Sequence, residues 1–87
     1  MLKVVKISWF DPAFSRAGWM NLGEAKDFIS RPSSRCDTVG HLVHEDDERI
    51  VLAMSVGEDQ LGDMISILKA NIKSMETLAE IDIDIAF

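Results

Sequence analysis

The sequence predicts an α+β domain that is mainly β: an antiparallel meander of about five strands, with one short helix inserted after the first strand. Residues 36–78 hold short β-type runs that follow one another through acidic or glycine-containing turns with almost no residues to spare, the pattern of an antiparallel meander. Ahead of them lie one stretch of helical period at residues 22–29 and a β-branched, aromatic run near the start of the chain.

The first strand is predicted over residues 3–10, where Val5, Ile7 and Trp9 share one face and Lys6 and Ser8 the other. Asp11-Pro12 breaks it, and residues 12–20 have no clear period, so Phe14, Arg16 and Trp19 fall on an irregular connection. Asn21 with Glu24 three residues later is a capping-box-like pair: the Asn side chain accepts from a backbone N–H of the first turn, and the carboxylate reaches back to the cap. The helix over residues 22–29 has Leu22, Ala25, Phe28 and Ile29 as its expected buried stripe. Ser30-Arg31-Pro32-Ser33-Ser34 stops it.

Residues 38–44 and 50–56 are the next two strands, joined by Glu45-Asp46-Asp47-Glu48, whose carboxylates repel one another unless solvated. Ile50, Leu52, Met54 and Val56 make the core face of the second, and residues 57–62 turn the chain again. Past that point two readings stand. Leu61, Met64, Ile65, Leu68, Ile72, Met75 and Ala79 fit a single amphipathic helix over residues 61–80. The competing reading has a strand at 64–68, a tight turn at Lys69-Ala70-Asn71 and a closing strand at 72–78. The domain thus covers residues 1–80. Residues 81–87 begin with Ile81-Asp82-Ile83-Asp84-Ile85, alternating at period two, and form a C-terminal strand or an arm that adds to another protomer's sheet edge.

Composition bounds the function. A chain of 87 residues is one domain with a small core, which makes self-association a natural way to bury more apolar surface. No apolar run approaches the roughly 18 residues of a membrane span. The first residues lack the apolar segment and cleavage site of a signal peptide, so a cytoplasmic address and no membrane partner are expected. One cysteine cannot form an internal disulfide. A net charge of −6 argues against coating a long polyanion. The charge is uneven: residues 1–35 hold six basic and three acidic side chains, whereas residues 36–66 hold eight acidic ones against Arg49 alone.

Cys36, His41 and His44 offer metal-ligating chemistry at poor spacing, since residues three apart on a regular strand point to opposite faces. The carboxylates Glu45, Asp46, Asp47, Glu48, Asp59 and Asp63 show no spacing of a nucleophile or a two-metal site, and charged hairpin turns ordinarily serve solvation and edge protection. No enzyme, metal or cofactor is therefore expected. Trp9, Phe14, Arg16, Trp19, Arg31 and Arg35 are of more interest: aromatics and arginines together stack bases and hold phosphates, or anchor a protein interface. Their bland alternative is that Trp9 and Trp19 cap the core. Met54, Met64 and Met75 sit at core-facing spacings.

Trp9 and Asp11, Gly18-Trp19, Leu22 with Ala25-Lys26, Cys36 with Val39-Gly40, residues 50–55, Gly62-Asp63, and residues 67–69 followed by Ile72 together resemble a group of small phage-encoded proteins of unknown function. These run strand, aromatic loop, short helix and four-strand meander. Residues 64–72 also resemble the last hairpin of Sm-like barrels, in which a strand, a very short turn and a closing strand complete a small open barrel. Sm-like RNA binders place a helix before all the strands and carry Arg-Gly or Lys-Gly in that turn. Here the helix follows the first strand, and only Lys69 and Asn71 stand in. The resemblance implies a small open barrel that forms a ring-like or dimeric homo-oligomer in the host cytoplasm, with an accessory or counter-defence role. The expected ligand is a small nucleotide or short RNA, held by Trp9, Phe14, Arg16, Trp19, Arg31, Arg35, Lys69 and Asn71. The alternative expectation is an inhibitor or adaptor that meets a host protein through its acidic face and C-terminal arm.

Overall fold

The computed structural model describes residues 1–11, 18–30 and 34–85. In chain order these form β1 (Leu2–Asp11), α1 (Leu22–Ser30), β2 (Ser34–Glu45), β3 (Arg49–Val56), β4 (Leu61–Leu68), a one-turn 3-10 helix (Lys69–Asn71) and β5 (Ile72–Ile81). The strands make one open antiparallel sheet in the order β4-β3-β2-β1-β5.

That order forces curvature. β4 and β5 are the two outer strands, and in a flat sheet they would lie about 19 Å apart, four inter-strand spacings. Only the 3-10 turn joins Leu68 to Ile72, and four Cα steps reach at most about 14 Å. The sheet must therefore curl until its edges approach each other. At Gly40 the curled β2 runs close over β3: a Cβ there would sit 2.7 Å from the Met54 methyl, 3.2 Å from Leu52 Cβ and 3.3 Å from the Ala53 carbonyl oxygen. Only glycine lets the two strands pass so closely.

Curling brings the inner faces of the two halves together. Val5 and Ile7 of β1 meet Ile50 and Leu52 of β3 and Ile67 of β4, and Trp9, Leu42, Ile65 and Ile72 pack around them. The register explains the set: Val5 lies opposite Gly40, Ile7 opposite Thr38, Leu42 opposite Leu52, and Leu52 opposite Ile65. The core is small and buries none of Met54, Met64 and Met75: Met54 shares the inner face with Ile50 and Leu52, and its methyl lies over Gly40, but it stays partly exposed. Met64 projects from the outer face, opposite Ala53, while Met75 lies opposite Ile7 on the exposed edge strand β5.

Residues 61–80 are two strands and a turn, not one helix. The helical period is coincidental; what decides is the pairing each half finds, β4 on β3 and β5 on β1. The Lys69 N–H donates to the Glu48 carbonyl at 2.8 Å and fixes the turn against the β2–β3 hairpin. The tail is no further strand among the described residues. β5 ends at Ile81, which pairs with Leu2 where β1 begins.

α1 is capped much as the sequence predicts. The Asn21 side-chain oxygen accepts from the Glu24 N–H at 2.8 Å, while the Glu24 carboxylate accepts from the Asn21 side-chain amide at 3.0 Å rather than from the backbone. Its apolar stripe, however, is covered only in part, with Ala25 and Phe28 half-buried. No α1 residue is buried, and Leu22 and Ile29 are 88% and 81% exposed. The molecule measures 54 × 24 × 20 Å, and its radius of gyration is 16.7 Å, against about 12 Å for a compact chain of this length. None of its helices is long and apolar enough to cross a membrane among the described residues.

Candidate functional site

The topology gives the molecule two poles. At one, β1 ends, β2 begins, the 3-10 turn packs against the β2–β3 hairpin, and the chain departs toward α1. At the other lie the start of β1, the end of β5, the β3–β4 turn and the tail.

Four of the residues singled out in the sequence meet at the first pole. Trp9 lies opposite Cys36 on one side and Ile72 on the other, Arg35 is opposite Phe10, and Lys69 and Asn71 belong to the turn that leads into Ile72. They do not share a face. Trp9 points inward, half-buried against the core, and its indole N–H donates to the Thr38 hydroxyl at 2.9 Å. Arg35 projects outward from the neighbouring position, beside Asp37 at 3.7 Å. The Lys69 ammonium is 3.0 Å from the Glu45 carboxylate, and Asn71 is half-buried. Trp19, just ahead of α1, is fully exposed and so does not cap the core. Phe14, Arg16 and Arg31 lie outside the described residues.

Sequence reasoning missed Phe10. It is exposed on the outer face directly across from Arg35, an aromatic beside a guanidinium on one surface. The alternation that turns Trp9 inward turns Phe10 outward, so its place was available from the period alone.

The second pole holds a cleft of about 850 Å³ between the β3–β4 turn and the tail. Its walls are apolar, with Val56, Leu61, Met64 and Ile83, and Glu58, Asp59 and Asp84 give it an acidic rim. The tail is held there in part by the Met1 ammonium, which donates to Asp84 at 3.0 Å; that hydrogen bond raises the amine above its ordinary range. No sequence motif announces this cleft, because its walls come from two separate segments, the β3–β4 turn with the start of β4 and the tail after β5.

The histidines are engaged by backbone and carboxylate. The register shift between Leu42 and His44 places His41 opposite Ala53 and His44 opposite Val51, so the two rings share a face instead of pointing apart as a regular strand would require. His41 Nδ1 lies 3.0 Å from the Ala53 carbonyl oxygen, and His44 Nε2 lies 2.8 Å from Asp46. Among the described residues no three His, Cys, Asp or Glu side chains gather as metal ligands would.

Asp46 organises the β2–β3 turn: it accepts from His44 and from the backbone N–H groups of Glu48 and Arg49, at 2.8–2.9 Å. These bonds, the one from His44 foremost, hold its carboxyl far below the usual range. Asp37 is lowered as well, chiefly by the Ser8 hydroxyl that donates to it. A carboxyl lowered in the folded state adds stability that is complete above its unfolded value, near 4, and is lost as pH falls through the folded value. The melting temperature is therefore expected to be flat on these groups' account above about pH 5 and to fall below about pH 4. Asp46→Asn should flatten that acid limb in a thermal scan across pH, and an unchanged limb would remove Asp46 from it.

No family model matches the chain, and neither a curated protein nor a solved structure does.

Proposed function

We propose that this chain is a non-enzymatic, self-associating binding module that captures a small nucleotide or short RNA at the pole from which α1 departs. The observation that carries the reading is the convergence there of Trp9, Phe10, Arg35, Lys69 and Asn71 from three separate parts of the sequence. The segment between β1 and β2, with Arg16 and Arg31, leaves from the same place. Aromatic faces and a few cations suit a discrete ligand with one or two phosphates better than a long polyanion, consistent with the net charge of −6. The strand order and the 3-10 turn between β4 and β5 agree with an Sm-like open barrel. Self-association is supported by two bare sheet edges: β5 is exposed along residues 73–80, and β4 carries Asp63 as its one charge. A phage accessory role, in which the module sequesters a nucleotide signal of host immunity, is the concrete form that fits the resemblance.

Native mass spectrometry and calorimetry against mononucleotides, cyclic dinucleotides and short oligonucleotides test the reading. Binding is expected to weaken tenfold or more in Arg35→Glu. It should tighten in Glu45→Gln, because a phosphate no longer competes with that carboxylate for Lys69. Absence of binding across the panel discards the proposal.

A second reading rests on the other pole. The tail lines an acidic, apolar cleft, which suits an inhibitor or adaptor that grips a basic, apolar segment of a host protein. Deleting residues 82–87 would abolish that interaction and leave nucleotide binding intact.

A further inference from the structure

We infer that the captured nucleotide carries guanine, read on the outer face of the sheet by Asp37 and Arg35 with Phe10 as the stacking platform. The inference rests on the nucleotide capture proposed above and deepens it by naming the base.

The register assembles the site. The alternation that turns Val5, Ile7 and Trp9 inward turns Ser8 and Phe10 outward. Arg35 lies opposite Phe10 and Asp37 opposite Ser8, so the four side chains fill two adjacent rows of one surface. From Phe10 to Asp37 is a diagonal step of about 7–8 Å, a separation that aromatic and long side chains bridge. A base lying on the exposed Phe10 ring therefore presents its edge to Asp37 and Arg35 together.

Ser8 gives that carboxylate a fixed direction. It is the buried polar side chain among the described residues, 4% exposed, and its hydroxyl donates to Asp37 Oδ1 at 2.5 Å. The Arg35 guanidinium stands 3.7 Å from the same oxygen. The Ser8 bond foremost, with Arg35 and Lys6 nearby, holds the carboxyl below its usual range, so at neutral pH it is ionised and only accepts. Among the described residues its other oxygen, Oδ2, has no hydrogen-bond partner.

The matching ligand edge has donors for the carboxylate and an acceptor for the guanidinium. Guanine sets two neighbouring N–H donors, N1 and the 2-amino group, beside its O6 acceptor, and no other common base has two neighbouring donors. A carboxylate accepts from both at once, as it does from a forked guanidinium, while Arg35 donates to O6. Adenine and cytosine offer one amino group each, and uracil one N–H between two carbonyl oxygens. Each of these leaves a carboxylate oxygen unanswered.

Calorimetry of the full chain against the monophosphates of guanosine, inosine, adenosine, cytidine and uridine tests this. The guanosine form is expected to bind at least tenfold tighter than the adenosine, cytidine and uridine forms. Inosine, which is guanosine without the 2-amino group, should bind about tenfold more weakly than guanosine, the worth of one hydrogen bond to a charged group. Asp37→Asn replaces an acceptor oxygen with a donor amide and should bring guanosine down to the adenosine level while adenosine binding is unchanged. Ser8 is a positioning residue, so Ser8→Ala should lower the guanosine preference several-fold and leave adenosine alone. Circular dichroism checks the fold of both variants, and the inosine comparison stands on the unaltered chain. Equal affinity for all five overturns the guanine assignment and leaves nucleotide capture standing, as does a folded Asp37→Asn that keeps the preference or that weakens every base alike. Binding of none overturns the capture itself.

Discussion

Leu52→Ala is expected to lower the unfolding free energy by about 3–5 kcal/mol, in the upper part of the range for truncating a buried leucine. Leu52 is 0% exposed and sits where both halves of the curled sheet meet, opposite Leu42 on β2 and Ile65 on β4. The cost is high because the gap has little to fill it. Its near neighbour on β2 is Gly40, which has no side chain to move, and the Met54 methyl already lies over that glycine. Total stability for a chain of 87 residues is about 4–13 kcal/mol. A protomer with so few fully buried side chains belongs at the low end of that range, so the variant should be largely unfolded as a monomer. Urea unfolding followed by circular dichroism reads the effect as a lower midpoint at unchanged slope. Leu52→Met, which conserves volume, should cost less than about 1.5 kcal/mol. If Leu52→Ala costs under about 1 kcal/mol, the curled core described for the monomer is wrong.

The strands were legible where one face carries the burial. Val5, Ile7 and Trp9 alternate with Lys6 and Ser8, and β1 forms there with its inner face in the core. The boundaries of β2 were not legible, because it begins at Ser34 only to answer Phe10 and Asp11 on the paired strand β1, a demand that residues 34–37 do not express themselves. Residues 61–80 show the same limit more sharply. Period describes one segment at a time, and the competing helix was excluded by β1 and β3, each of which needs an outer partner.

The site was legible in kind but not in arrangement. Aromatics and cations could be counted, and Trp9, Arg35, Lys69 and Asn71 do reach one pole. Which of them faces outward follows from register, which turned Trp9 in and Phe10 out. Ion pairing is likewise a tertiary outcome: Glu45, read as part of a solvated turn, holds Lys69 because the 3-10 turn folds against that hairpin. The helix gave the opposite lesson. Of its amphipathic stripe, Ala25 and Phe28 are half-buried while Leu22 and Ile29 stay exposed.

Trp9→Ala is expected to cost about 3–5 kcal/mol, as for other packed aromatics, while Trp9→Phe should cost only about 0.5–1.5 kcal/mol, the worth of one lost hydrogen bond. The contrast follows from what the ring does. Its hydrocarbon packs against the core beside Ile72, which phenylalanine keeps, and its N–H donates to the half-buried Thr38 hydroxyl, which water can replace. Fluorescence gives an independent check, since the chain has two tryptophans in opposite environments. Trp19→Phe should leave a blue-shifted emission from Trp9, and Trp9→Phe a red, readily quenched emission from the fully exposed Trp19. The same pair divides structural from ligand-contacting roles at this pole. If Trp9 supports the site from beneath, Trp9→Phe binds nucleotide as the wild type does, while Phe10→Ala and Arg35→Glu weaken binding on the outer face. If Trp9→Phe loses binding tenfold with its stability intact, the ring meets the ligand itself, and the inner mouth of the curled sheet, not its outer surface, is where the nucleotide sits.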